Sequence, residues 1–196
     1  MQSFTTQLSF ITIQKRTTRN KIVQCLLAIL MALSLMLFSR PSFPNENIEY
    51  QVKAAFISNF IAFTQWPSDL NEGIQLCLYG EDLFGPTLDQ IEQKPNNKGK
   101  IKVRRTNDES TLTECQVVFI AKSHINNLSH ILNNLRDKPI LLIADSPNAA
   151  SQGVNINMNV NSDGKVTFEI NLAIARLSKL DFSSKLLQLA THVYRE

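Results

Sequence analysis

Two short runs constrain this chain more than any other feature: Cys115–Ala121, read Cys-Gln-Val-Val-Phe-Ile-Ala, and Ile140–Ala144, read Ile-Leu-Leu-Ile-Ala. Strands of nearly continuous Val, Ile and Leu are buried on both faces, which is the habit of a parallel sheet covered by helices on each side. The segment between them has helical spacing. Ile125, Leu128, Ile131, Leu132 and Leu135 share one face, and the pattern ends near Pro139.

The same alternation extends upstream. Asn45–Trp66 reads as a helix, with Val52, Phe56, Asn59, Phe60 and Phe63 at helical spacing and Ala54, Ala55 and Ala62 raising propensity. Pro67 stops it. Ile74–Tyr79 reads as a buried strand. Pro86 suits a first helical position before a short helix at Thr87–Gln93, and Lys100–Thr106 is a second strand.

Beyond Val154 the pattern changes. Val154, Ile156, Met158 and Val160 alternate strictly with Asn155, Asn157, Asn159 and Asn161, the mark of a half-exposed strand. Asp163-Gly164 signals a tight turn, and Lys165–Ile170 returns as the partner strand. Helical segments follow at Asn171–Lys179 and Ser184–Tyr194, the second capped by Ser183. The expected fold is therefore α/β: a three-layer α/β/α arrangement with a mainly parallel sheet of about four core strands, ordered 2-1-3-4, plus a C-terminal edge hairpin.

The N-terminus bears on compartment. Residues 1–21 carry Lys15, Arg16, Arg19 and Lys21 without an acid, and Ile22–Phe38 then runs without a charge. A basic region followed by an apolar one is the pattern of an export signal. The run exceeds the usual apolar core of about 7–15 residues and falls short of the roughly 20 that span a bilayer. A cleaved signal ending near Ser39 or Ser42, an uncleaved anchor and a buried helix all remain open. Cys25, early in the run behind Gln24, does not read as a lipidation site. We expect residues 1–39 to be this segment and residues 40–196 to be one domain. Membrane contact is expected only through the N-terminal segment, if it stays uncleaved.

The formal charge of +3 comes from that segment. Residues 1–40 hold five of the 20 basic residues and none of the 17 acids, so the remainder carries 15 against 17, a net of −2. Such a body has no electrostatic footprint for nucleic acid. The one basic cluster, Lys98–Arg105, alternates with Ile101 and Val103 as a solvated strand does.

Catalytic constellations are hard to assemble. Gly80 and Gly85 have P-loop spacing, but Pro86 and Thr87 stand where Lys and Ser/Thr belong, and Glu81 and Asp82 place negative charge where phosphates would sit. His124, His130 and His192 lack metal-ligand spacing, and no Gly-x-Ser-x-Gly elbow occurs. We expect no enzyme activity and no cofactor. Cys77 and Cys115 are the only cysteines beyond residue 39, and an oxidising compartment tends to pair such residues.

Five stretches in order carry a resemblance: Tyr50–Pro67 (YQVKAAFISNFIAFTQWP), Leu76–Leu88 (LCLYGEDLFGPTL), Cys115–Ala121, Pro139–Asp145 (PILLIAD) and Val166–Ala190 (VTFEINLAIARLSKLDFSSKLLQLA). Together they resemble the YfiR-like family of periplasmic proteins. The chain departs from that family at Ser151–Met158, SQGVNINM, where members tend to show a Gly-Gly-Met-Ile-like segment. The resemblance implies a periplasmic, non-catalytic α/β domain, commonly dimeric, that binds and represses the periplasmic part of a membrane diguanylate cyclase and so lowers cyclic di-GMP. It also implies a disulfide between Cys77 and Cys115. Strands one and three would be neighbours, but a parallel register separates a cysteine late in one from a cysteine at the start of the other, unless Thr111–Glu114 folds back.

Two places are expected to carry function. The hairpin Val154–Ile170, with Asn155, Asn157 and Asn159 outward, could pair with another chain at a sheet edge or could simply be solvated. Alternatively the Gly80–Gly85 loop, Asp145 and Trp66 could gather at the strand ends as a pocket for a small ligand, with Trp66 as structural cover for the first helix the favoured reading of that residue.

Overall fold

The computed structural model describes residues 46–196, apart from 69, 71–72 and 94–97. The expected export segment and Cys25 lie outside the described residues. Helix α1 spans Glu46–Phe63. Tyr50, Lys53, Ala54, Ile57, Phe60 and Ile61 are its buried residues, three and four apart, so a single face meets the sheet. The helix stops short of Trp66, where Thr64 and Gln65 turn into a strand, and the Thr64 hydroxyl donates to the Phe60 carbonyl at 2.7 Å. Strand β1, Thr64–Gln65, then pairs antiparallel with β8, Asp181–Phe182.

The remaining strands are β2 (Ile74–Tyr79), β3 (Ile101–Thr106), β4 (Val117–Ile120), β5 (Leu141–Ala144), β6 (Ile156–Val160), β7 (Val166–Asn171) and β9 (His192–Tyr194). They form one seven-stranded sheet in the order β3-β2-β4-β5-β6-β7-β9. The first five in that order pair in parallel, so the expected 2-1-3-4 core holds. The short helices are α2 (Pro86–Asp89), α3 (Leu128–Asn134), α4 (Leu172–Leu177) and α5 (Ser184–Leu189).

Both faces are dry over the central strands Val117–Ile120 and Leu141–Ala144, as their apolar runs require. Leu76 and Leu78 of β2 join the core beneath α1, whereas Cys77 and Tyr79 join the core built with Leu128 and Ile131 of α3. Alternate residues of one strand thus supply two cores, and the layers are α/β/α.

β6 and β7 form the antiparallel hairpin, with Val160 opposite Val166. The Asn161 side-chain oxygen accepts the Asp163 and Lys165 N–H groups at 3.1 and 2.9 Å and sets the turn. One further strand lies outside it. The final helix ends at Leu189 rather than Tyr194, because the Thr191 N–H and hydroxyl both donate to the Phe168 carbonyl and lead β9 along β7.

Cys77 and Cys115 are disulfide-bonded with Cα atoms 6.0 Å apart. In register Cys77 lies beside Val118, three residues past Cys115. A 3-10 turn at Glu109–Glu114, capped by Asp108, resolves the offset by carrying Cys115 back over the sheet, with Leu112 buried beneath it.

Candidate functional site

β5 ends at Ala144 and runs on into the buried Asp145 and Ser146, at the rim where open α/β sheets usually offer a ligand crevice. Here helix α1 fills the rim from above. Lys53 is 1% exposed, and its Nζ lies 2.5 Å from Asp145 Oδ2 and 2.5 Å from Glu49 Oε1. The Tyr50 hydroxyl donates to the same Asp145 oxygen at 2.9 Å, and the Lys53 ammonium sits 4.3 Å from the Tyr50 ring centre. Lys122, in the turn after β4, adds a half-exposed cation 3.8 Å from Asp145 Oδ2.

An aromatic series joins this cluster to the Gly80–Gly85 loop. Phe84 packs edge-on against Tyr50 at 5.0 Å and against Phe119 at 4.9 Å. Its backbone N–H and that of Gly85 both donate to Asp82 Oδ1. Arg105 of β3 clamps the loop from outside, reaching Asp82, Asp89 and the Gly85 carbonyl. These partners, Asp89 first and Asp82 next, raise the Arg105 pKa above its ordinary value. Gly80 has φ +105, and a Cβ there would meet His124 Nδ1 at 2.6 Å and Ser123 Oγ at 2.8 Å. Ser123 Oγ in turn accepts the Glu81 N–H at 2.9 Å. The loop is therefore packed down onto the turn after β4, where a phosphate cradle would have to open.

The expected pocket comes together only in part. The Gly80–Gly85 loop and Asp145 meet through Phe84 and Tyr50. Trp66 does not join them, since its indole N–H donates to the Pro139 carbonyl at 3.0 Å, just before the opposite end of β5. It covers the tail of α1 instead.

The asparagine face is also corrected. Asn155 and Asn157 are fully buried, Asn159 is half-buried, and only Asn161 is exposed. Asn155 is drawn inward because backbone pairing of β5 and β6 begins only at Ile143 and Ile156. Its side-chain oxygen accepts the Leu142 N–H at 2.7 Å, standing in for the missing rung. Asn157 donates to Asn159 Oδ1 at 3.0 Å. Neither Asn155 nor Asn157 is available to another chain.

Sequence reading missed Glu49, Tyr50 and Lys53. The signal was present: Lys53 is a lone cation among Val52, Ala54, Ala55 and Phe56, with an acid four residues before it. Chemically, the cluster ties its charges to one another. Asp145 Oδ1 and Ser146 Oγ are buried without a protein partner, but the nucleophile, base and orienter of an active site do not assemble around them. No group of three potential metal ligands occurs among the described residues, nor any helix long and apolar enough to cross a membrane.

Among solved structures, the ABC domain of a Streptococcus pneumonia protein in complex with L-Trp aligns at TM-score 0.49 and 8% identity, covering 74% of this chain and 60% of that one. A conserved domain protein of Vibrio cholerae aligns at TM-score 0.46 and 9% identity, with the same coverage of 74% and 60%. The chain thus spans less than two thirds of either neighbour. No curated protein matches the sequence. The family profile described as YfiR/HmsC-like matches residues 50–191, from the tyrosine that bonds Asp145 to the threonine that launches the last strand, and the chain belongs to that family.

Proposed function

We propose that this protein is an exported, non-catalytic regulator that binds the periplasmic part of a membrane diguanylate cyclase and represses it, lowering cyclic di-GMP. The observation that carries the reading is the family match over residues 50–191, since the family is in general periplasmic and regulatory rather than enzymatic. In this reading residues 1–39 direct export and residues 40–196 form the regulatory domain, which could act as a homodimer. Two features support it. The charged groups at the sheet rim are spent on one another, and a buried disulfide suits an oxidising compartment. The test is deletion of the gene. Cyclic di-GMP and biofilm should rise and should fall again on complementation. Unchanged levels, with no cyclase recovered by cross-linking, would sink the reading.

A second reading, a sensor for a small ligand, has one observation in its favour. A groove of about 690 Å³ between α3 and α4 has Leu132, Ile174 and Leu177 on its walls. At its rim the Arg136 guanidinium meets Asn133 and no carboxylate among the described residues. Thermal-shift screening with small apolar carboxylates tests it, and a flat response rejects it.

A further inference from the structure

Six large apolar side chains stand exposed among the described residues, and three of them gather in one place: Ile48 at 60%, Val52 at 39% and Val160 at 44%. With Phe56 and Val166 they line an open groove of about 780 Å³ between the first half of α1 and the β6–β7 turn. A contiguous apolar patch rimmed by polar groups is the usual mark of an interaction surface, whereas single exposed apolar residues are ordinary.

The groove has an orientation. Ile48, Val52 and Phe56 recur every four residues, the row that one helix offers to the ridges of another. The same helix turns Tyr50 and Lys53 inward to Asp145, so this row is held outward. Charge distinguishes the two walls: Lys165 on the hairpin has no ion-pair partner among the described residues, whereas Glu49 on the helix is held by Lys53. A lipid surface is a poor fit. Helices that lie on anionic membranes carry a polar face rich in Lys and Arg, and the one lysine of α1 is the buried Lys53.

We infer that this groove is the docking site for an amphipathic helix of a protein partner, its apolar stripe laid between α1 and the hairpin. One flank of that helix carries an acidic residue toward Lys165. The inference rests on the regulatory reading above and names the surface through which that regulation acts.

The test expresses the full chain from its own locus as Val52→Asp, Val160→Asp and Lys165→Glu. Leu189→Asp serves as control, because Leu189 is exposed and lies outside the groove. Each variant is checked for abundance and unfolding temperature, and Lys165→Glu covers the case in which an aspartate impairs folding. A photo-cross-linker placed at Ile48, on the groove wall, reports contact with the cyclase. Val52→Asp and Val160→Asp should raise cyclic di-GMP to the level of the deletion strain and cut cross-linking about tenfold or more. Lys165→Glu should act in the same direction with less force, and Leu189→Asp should behave as wild type. If deletion raises cyclic di-GMP while all three groove variants repress normally, the inference falls alone. If deletion changes nothing, the regulatory reading falls and the inference with it. Loss of a dimer in sedimentation on Val160→Asp would make a second copy the occupant. Loss of flotation with phosphatidylglycerol vesicles would make it a lipid surface. Either result overturns the inference.

Discussion

Lys53 Nζ lies 2.5 Å from Asp145 Oδ2, and each side chain is 1% exposed, so one ion pair joins the first helix to the end of a central strand with almost no solvent between them. The pair bridges 92 residues of sequence. Breaking such a pair by removing one partner costs about 3–5 kcal/mol, because the other charge stays buried alone. Lys53→Met should therefore lower the denaturation free energy by about that amount. The double change Lys53→Met with Asp145→Leu should recover much of the loss, since a packed apolar pair avoids the desolvation cost. Urea midpoints of the two variants decide it. A double variant no better than the single one would mean that Tyr50 and Glu49 matter more than the pair.

The bridge between Cys77 and Cys115 closes a span of 38 residues. On the chain-entropy account it should contribute about 3–4 kcal/mol. Cys77→Ser with Cys115→Ser should lose that much, and reductant should bring the wild-type chain to the same value. If regulation depends on the bridged form, repression should fall with stability. A variant that keeps both would show the bridge to be idle.

Gly80 and Gly85 should respond differently to alanine. At Gly80 a new Cβ would strike His124 and Ser123 at a φ of +105, whereas at Gly85, with φ +53, it would meet nothing within 4 Å. Gly80→Ala should cost roughly 2 kcal/mol or more, combining strain with a clash. Gly85→Ala should cost about 1–3 kcal/mol of backbone strain without a clash, because φ +53 with ψ −139 is a conformation kept essentially for glycine. Thermal unfolding of the two variants measures the gap, and equal losses would contradict the packing of the loop.

Asp108 caps the turn that carries Cys115. Its carboxylate accepts the Ser110 hydroxyl at 2.7 Å and the Ser110 N–H at 2.9 Å. These bonds, the hydroxyl first, lower its pKa below the ordinary 3.8. The stabilisation is therefore present above 3.8 and is lost as pH falls through the depressed value. Ser110→Ala should move the Asp108 titration upward, followed by carboxyl carbon shifts from about pH 6 to about pH 2. An unmoved titration would mean that the hydroxyl contributes nothing to the cap.

Much of the fold was legible because it rests on local patterns. Val117–Ile120 and Leu141–Ala144 are buried throughout, as continuous Val, Ile and Leu strands must be. The asparagine strand misled for a physical reason. Alternation records which residues share a face, and it does not record what covers that face. Asn155 reads as solvated until the late start of the β5–β6 ladder gives its side chain a backbone group to satisfy. The last strand was hidden likewise, since Thr191 finds its acceptor in Phe168, a residue far back in the chain.

The sequence by itself determined which segments are helices and which are strands buried on both faces. These depend on periodicity and residue type, which act within a few positions of one another. The family and the paired cysteines came from the resemblance of five separate stretches. The tertiary structure alone decided that Lys53 meets Asp145, that Trp66 lies toward the other end of the sheet and that Ile48, Val52 and Val160 gather into one groove. Those relations depend on where separate elements come to rest, and burial then assigns each polar group its partner from whatever the fold has placed beside it.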